Sequence, residues 1–95
     1  MPAYVIAEIE VTDPAGFDEY RKGVPATIAA YGGRYLARGG ALEPLEGGWT
    51  PKRMVVLEFP SMAQAKAWYA SAEYRDLMAL RQRATRSKVV LLEGL

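Results

Sequence analysis

Six side chains of this 95-residue sequence have types and spacings that can do chemistry: Arg34, Arg38, Glu58, Trp68, Tyr69 and Tyr74. The arginines sit in Tyr31-Gly32-Gly33-Arg34-Tyr35-Leu36-Ala37-Arg38-Gly39-Gly40, where two glycine pairs bracket a stretch with the period of a strand. A guanidinium is a planar fork of donors, so either arginine can grip a carboxylate or a phenolate. Glu58 becomes a general base if a cavity strips its water and raises its proton affinity. Arg38 and Glu58 are therefore the candidates for any catalytic step, and Arg34, Arg38, Glu58, Trp68 and Tyr74 for ligand binding. Each also has a plain structural role. The arginines can pair with Glu58, Glu8 or Glu10, and such ion-pair networks perturb carboxylates without catalysis. Aromatic residues at helical spacing, such as Trp68, Tyr69 and Tyr74, most often pack a core. Trp49, in a glycine-rich loop, is either a lid or a packing group against a neighbouring subunit.

The sequence has no His and no Cys. That removes an imidazole base, a thiolate nucleophile, and the histidine or thiolate ligand sets of zinc, haem and non-haem iron. No cofactor and no metal are expected. Neither glycine pair has the strand-to-helix setting in which a glycine-rich loop cradles phosphate. A net charge of +1 provides no broad field for nucleic acid or an acidic membrane, so neither is an expected partner. The local cluster Arg81, Arg83, Arg86 and Lys88 fits the end of a helix, where cations complement the dipole. No apolar run reaches the roughly 18 residues of a membrane span. The N-terminus lacks the basic and apolar regions of a signal peptide, so the cytoplasm is the expected location.

These residues must be positioned by a small fold. Ala3 to Val11 alternates as a strand with one wholly apolar face. Asp13-Pro14 opens a helix whose stripe runs Phe17, Tyr20, Val24, Ile28 and Tyr31 and which ends at Gly32-Gly33. Pro25 inside it predicts a kink or break near Lys22–Val24. Arg34 to Arg38 is the second strand, residues 39–51 a long loop, and Arg53 to Phe59 the third strand. Ser61 and Gln64 have capping-box spacing for a second helix, which restarts at Ser71-Ala72-Glu73. Ser87 to Glu93 is the last strand. The order β-α-β-β-α-β is the split βαβ, ferredoxin-like pattern of one α+β domain over residues 1–95. Right-handed crossovers give strand order 4-1-3-2, with the helices on one face.

The other face must then meet something. With Leu36 opposite Val56, Arg38 faces Met54 and Arg34 faces Glu58. The even-numbered residues, among them Ile6, Glu8, Arg34, Arg38, Val56 and Glu58, then share the uncovered face. That face is too apolar for a wet surface and too charged for burial alone. A second copy packed sheet to sheet, with Arg and Glu paired or lining a wet cavity, resolves both, and a homodimer is expected.

At this point the residues resemble a known family. The Tyr31–Gly40 segment, Leu45-Glu46-Gly47-Gly48-Trp49-Thr50-Pro51, Glu58-Phe59-Pro60, Trp68-Tyr69 with Ser71 and Tyr74, and Glu93-Gly94 look like domain of unknown function 1330. The resemblance spans essentially the whole chain. It implies the dimeric α/β-barrel superfamily, in which two ferredoxin-like subunits form a shared barrel. Cofactor-free monooxygenases, haem-degrading enzymes, lactone isomerases and stress-response proteins belong there. The family has no established reaction, so the resemblance assigns no catalytic residue. Two functions stay open: a protein that binds or transforms a small anionic or aromatic organic molecule in an Arg38/Glu58 pocket of the dimeric barrel, and a non-catalytic structural or regulatory homodimerisation module.

Overall fold

The computed structural model describes residues 1–95. In chain order its elements are β1 (Ala3–Val11), α1 (Pro14–Ala30), β2 (Arg34–Arg38), β3 (Met54–Phe59), α2 (Met62–Tyr69), α3 (Ala72–Ala84) and β4 (Thr85–Glu93). The strands form one antiparallel sheet in the order β2-β3-β1-β4, the expected order read from the other edge. The alternation of β1 explains the layering. Ala3, Val5, Ala7 and Ile9 are buried beneath the helices with Leu57 and Phe59 of β3. Phe17, Tyr20, Val24 and Ile28 of α1 and Ala65, Trp68, Tyr74 and Ala84 of the other helices complete that core. All the strand residues in it carry odd numbers, so the core lies on one face of the sheet, and the molecule is only 16 Å thick.

Local signals behave as their chemistry dictates, with three departures. Ser61 and Ser71 cap α2 and α3, accepting from the backbone N–H of Gln64 and Tyr74, each at 3.2 Å. Gly32, at φ +78°, lets the chain leave α1 in the left-handed region that disfavours a Cβ. Of the kink or break expected near Lys22–Val24, the break does not occur. α1 runs unbroken through Pro25, because helical stability comes mostly from packing of the buried face rather than from propensity. Tyr20, Val24 and Ile28 are buried on both sides of the proline. Asp13 holds the N-cap position of α1 but makes no side-chain cap hydrogen bond.

The third departure decides the site. Arg34 does lie opposite Glu58, and Tyr35 opposite Leu57, but the next pairs are Ala37 with Val56 and Arg38 with Val55. Leu36 is therefore a bulge: one extra residue that has no partner and resets the alternation beyond it. Ala37 turns to the uncovered face. Arg38 turns to the helix-covered face, three residues after Tyr35 yet on the same side, where an unbroken strand would have put it beside Met54. Bulges re-aim side chains next to functional sites often enough that this one calls for a functional account.

The uncovered face is apolar at its centre. Ile6 lies opposite both Val56 and Val90, while Leu36, Val90 and Leu92 are exposed at 46%, 58% and 54%. The acids there are matched in register by bases, Glu8 with Lys88 and Glu10 with Arg86. Two of the four residues of the basic cluster thus stand opposite acids in the sheet. A third, Arg81, is buried.

Candidate functional site

The bulge carries Arg38 to a recess of about 50 Å³ between the helical layer and the sheet. Its 18 lining residues include Arg21, Arg38, Arg53 and Arg81 but no Asp or Glu, and 14 of them are hydrophobic. Arg21 comes from α1, Arg38 from the end of β2, Arg53 from just before β3, and Arg81 from α3. Four segments far apart in sequence place cations around one apolar hollow.

The inner wall is aromatic and hydrogen-bonded. Trp68 stacks against Tyr74 with ring centroids 4.2 Å apart and against Phe59 at 5.3 Å. Its Nε1 donates to Thr27 Oγ1 at 3.0 Å, so the indole is fixed in rotation as well as buried. The Tyr20 and Tyr74 hydroxyls are 2.8 Å apart. Arg81 Nε donates to Tyr74 Oη at 3.3 Å, and Arg81 Nη1 donates to Ser87 Oγ. Burial, then the neighbouring Tyr74, pushes the Tyr20 hydroxyl far above the ordinary phenol range, so Tyr20 stays protonated. Burial alone would lower Arg81, but Tyr74 beside it more than offsets this and holds the guanidinium above its usual value. Arg81 is therefore a fixed cation with phenol and hydroxyl partners and no carboxylate.

The outer wall is cationic. The Arg38 guanidinium lies over the Tyr35 ring, 4.7 Å from its centroid, and Arg53 over the Phe17 ring at 5.4 Å. Burial lowers the proton affinity of Arg53, and the like charges of Arg21 and Arg38 lower it further. Burial raises the Tyr35 hydroxyl, while Arg38 works against that shift. Arg53 Nε is buried without any hydrogen-bond partner.

The six sequence candidates therefore divide between two faces. Arg38, Trp68, Tyr69 and Tyr74 line the recess. Arg34 and Glu58 do not. They pair with each other on the uncovered face, with Arg34 Nη2 2.7 Å and Nε 2.8 Å from the same Glu58 oxygen. The Arg38/Glu58 pocket expected from an unbroken register is corrected: within one subunit the bulge puts these two residues on opposite sides of the sheet. The Arg34 side chain is 70% exposed, and pairs of that kind contribute roughly 0–1 kcal/mol. Arg34→Ala is accordingly expected to move the Tm by less than about 8 °C, checked by a circular-dichroism melt. Trp49 is also away from the recess, since its Nε1 donates to Glu8 Oε2 on the uncovered face.

Arg21, Arg53, Arg81, Tyr20 and Tyr35 were not among the sequence candidates. Two signals mark some of them. Arg53 has the same parity as Val55 and Leu57 on the buried side of its strand, and Arg81 falls on the stripe of Tyr74, Leu77, Met78 and Ala84. A cation on an apolar stripe is unusual enough to ask what it faces.

Solved structures fix the fold independently. A protein of unknown function from Rhodopseudomonas palustris superposes with a TM-score of 0.81 at 18% identity, covering 99% of this chain and 82% of that one. SnoaB, a cofactor-independent oxygenase from Streptomyces nogalater, gives 0.68 at 12% identity, over 99% and 93% of the two chains. A dimeric ferredoxin-like protein of unknown function from Jannaschia sp. CCS1 gives 0.67 at 15% identity, over 99% and 100%. No protein of curated function matches the chain. No helix is long and apolar enough to cross a membrane. The ferredoxin-like fold is thus shared with proteins whose sequences have little else in common with this one. The sequence profile of one family, Domain of unknown function (DUF1330), matches residues 2–95, and the chain belongs to that family.

Proposed function

We propose that this protein binds a small anionic or aromatic organic molecule in the recess between helices and sheet, in each subunit of a homodimer. The observation that carries this is the lining itself: four arginines, an aromatic inner wall and no acid. Ligand sites are mostly apolar hollows with a few convergent polar groups. Of these cations only Arg21 has a carboxylate within 4.0 Å, Asp18 on its own helix, so the set is unbalanced and an anion completes it. The likeness to a cofactor-independent oxygenase and to a dimeric protein supports a small-molecule site in a dimer. The recess offers hydrogen-bond donors and one fixed cation deep inside, so any reaction there stabilises negative charge developing on the ligand.

The test is a Trp49→Phe background in which Trp68 is the single remaining indole. A panel of small organic acids and neutral aromatics is titrated while Trp68 emission and thermal stability are followed. At least one compound should shift the emission and raise the Tm. Arg38→Ala should weaken that compound by about tenfold or more, with the circular-dichroism spectrum and elution volume unchanged. No response across the panel, or equal binding by Arg38→Ala, overturns the proposal.

A second reading, a non-catalytic structural or regulatory homodimerisation module, rests on a different observation. Ile6, Val56, Val90 and Leu92 make the helix-free face apolar whether or not the recess is used. That reading gains if the panel finds no ligand while the protein remains dimeric.

A further inference from the structure

We infer that the ligand is an aromatic monocarboxylate that enters ring first, with its carboxylate held at the mouth by Arg38 and Arg53; this rests on the recess being a binding site. The partners of the four arginines point to the mouth. Arg81 is occupied by Tyr74 and Ser87. Arg21 has Asp18 on its own helix, 3.8 Å away. Arg38 and Arg53 have no carboxylate within 4.0 Å. Each nevertheless has its guanidinium carbon over an aromatic ring, Arg38 over Tyr35 and Arg53 over Phe17. A ring beneath the cation neutralises no charge, and the fork of donors on a guanidinium matches the two oxygens of a carboxylate.

Gly39 supports the same assignment. It has φ +69°, and a Cβ there would run into the Arg53 guanidinium. The chain therefore keeps a bare backbone where Arg53 lies, and Arg53 Nε stays buried without a partner. With Nε unpaired and no protein partner at its Nη groups, the Arg53 guanidinium is short of acceptors, and a carboxylate at the Nη groups supplies them. One anion between Arg38 and Arg53 also relieves the like-charge repulsion that lowers Arg53.

Size and lining settle the rest. The recess of about 50 Å³ is smaller than the roughly 150 Å³ that encloses a benzene. A single ring therefore sits partly inside, with its substituent at the mouth, and a polycyclic ligand does not fit without moving Tyr35 and Arg38. Inorganic phosphate has nothing to place against Trp68 or Phe17. A neutral ring leaves both arginines as unbalanced as before.

The test compares sodium benzoate, benzyl alcohol and sodium phosphate on the intact protein at neutral pH and low salt, by calorimetry and Trp68 emission in the Trp49→Phe background. Benzoate should bind about tenfold or more tightly than benzyl alcohol, and phosphate should leave Trp68 emission unmoved. Arg53→Met keeps the length of the stem and should remove the preference for benzoate while leaving benzyl alcohol as it was. Arg38→Met serves as a second variant with the same expectation, should the first fail to fold. Equal binding of benzoate and benzyl alcohol overturns the head-group assignment and leaves the recess standing as a site. The same holds if phosphate rivals benzoate, or if both methionine variants keep the preference. Absence of binding by either aromatic probe overturns the assignment and the site together.

Discussion

Trp68→Ala should lower the stability of this domain by roughly 3–5 kcal/mol, a loss of Tm on the order of 15–30 °C for a chain of this size. The indole is 2% exposed. Its removal leaves a void bounded by Phe59 at 5.3 Å, Tyr74 at 4.2 Å and Tyr69 at 6.0 Å from its ring centroid. Those three rings belong to a strand and two helices, so no single shift of one element closes the gap. Thr27 loses the donor at its Oγ1 but still donates to the Val24 carbonyl at 2.8 Å, so the deficit is mostly packing. Trp68→Phe refills much of the volume without the N–H, and should recover more than half of the loss. Thermal or urea melts of the two variants check this. A Trp68→Ala protein that melts within a few degrees of wild type would show that the aromatic cluster is not the keystone of the helical layer.

Ile6→Glu should abolish the proposed homodimer while leaving each subunit folded. Ile6 lies at the centre of the uncovered face, opposite Val56 on one side and Val90 on the other. It belongs to none of the 14 residues of the buried core, so the subunit does not depend on it. Each subunit of a sheet-to-sheet dimer would bury one uncompensated carboxylate there, at a penalty of several kcal/mol per ion. Two such charges raise the dissociation constant by roughly a thousandfold or more. Light scattering coupled to size exclusion reads the mass directly. A wild-type protein that is monomeric would overturn the proposed dimer, and an Ile6→Glu protein that stays dimeric with wild type would show that the helix-free face is not its interface.

The two variants probe opposite faces of one sheet, and the chain made those faces legible to different degrees. Along β1 the alternation of Ala3, Val5, Ala7 and Ile9 with Tyr4, Ile6, Glu8 and Glu10 is unbroken, so both the buried and the uncovered side could be read from order alone. Arg34 opposite Glu58 was an assumed register, since the length of the loop between β2 and β3 does not fix it, and only the packed strands bear it out. The face taken by Arg38 was not legible. A bulge leaves no mark in the alternation of apolar and polar residues, since Leu36 and Ala37 suit either face, and the side on which Arg38 emerges depends on how β2 docks on β3. Pro25 likewise does not break α1, because propensity is a local preference of about 3 kcal/mol that the buried face on both sides outweighs.

The sequence by itself determined the order of elements, the caps at Ser61 and Ser71, the one-sided core and the bare face that calls for a partner, because each follows from periodicity or from the chemistry of neighbouring residues. Only the tertiary structure decided which cations share a hollow. Arg21, Arg38, Arg53 and Arg81 are brought together by the crossover of α1, the bulge at Leu36 and the packing of α3. No pattern within any one segment encodes a distance to another, so a site assembled from four segments becomes visible only once they are packed.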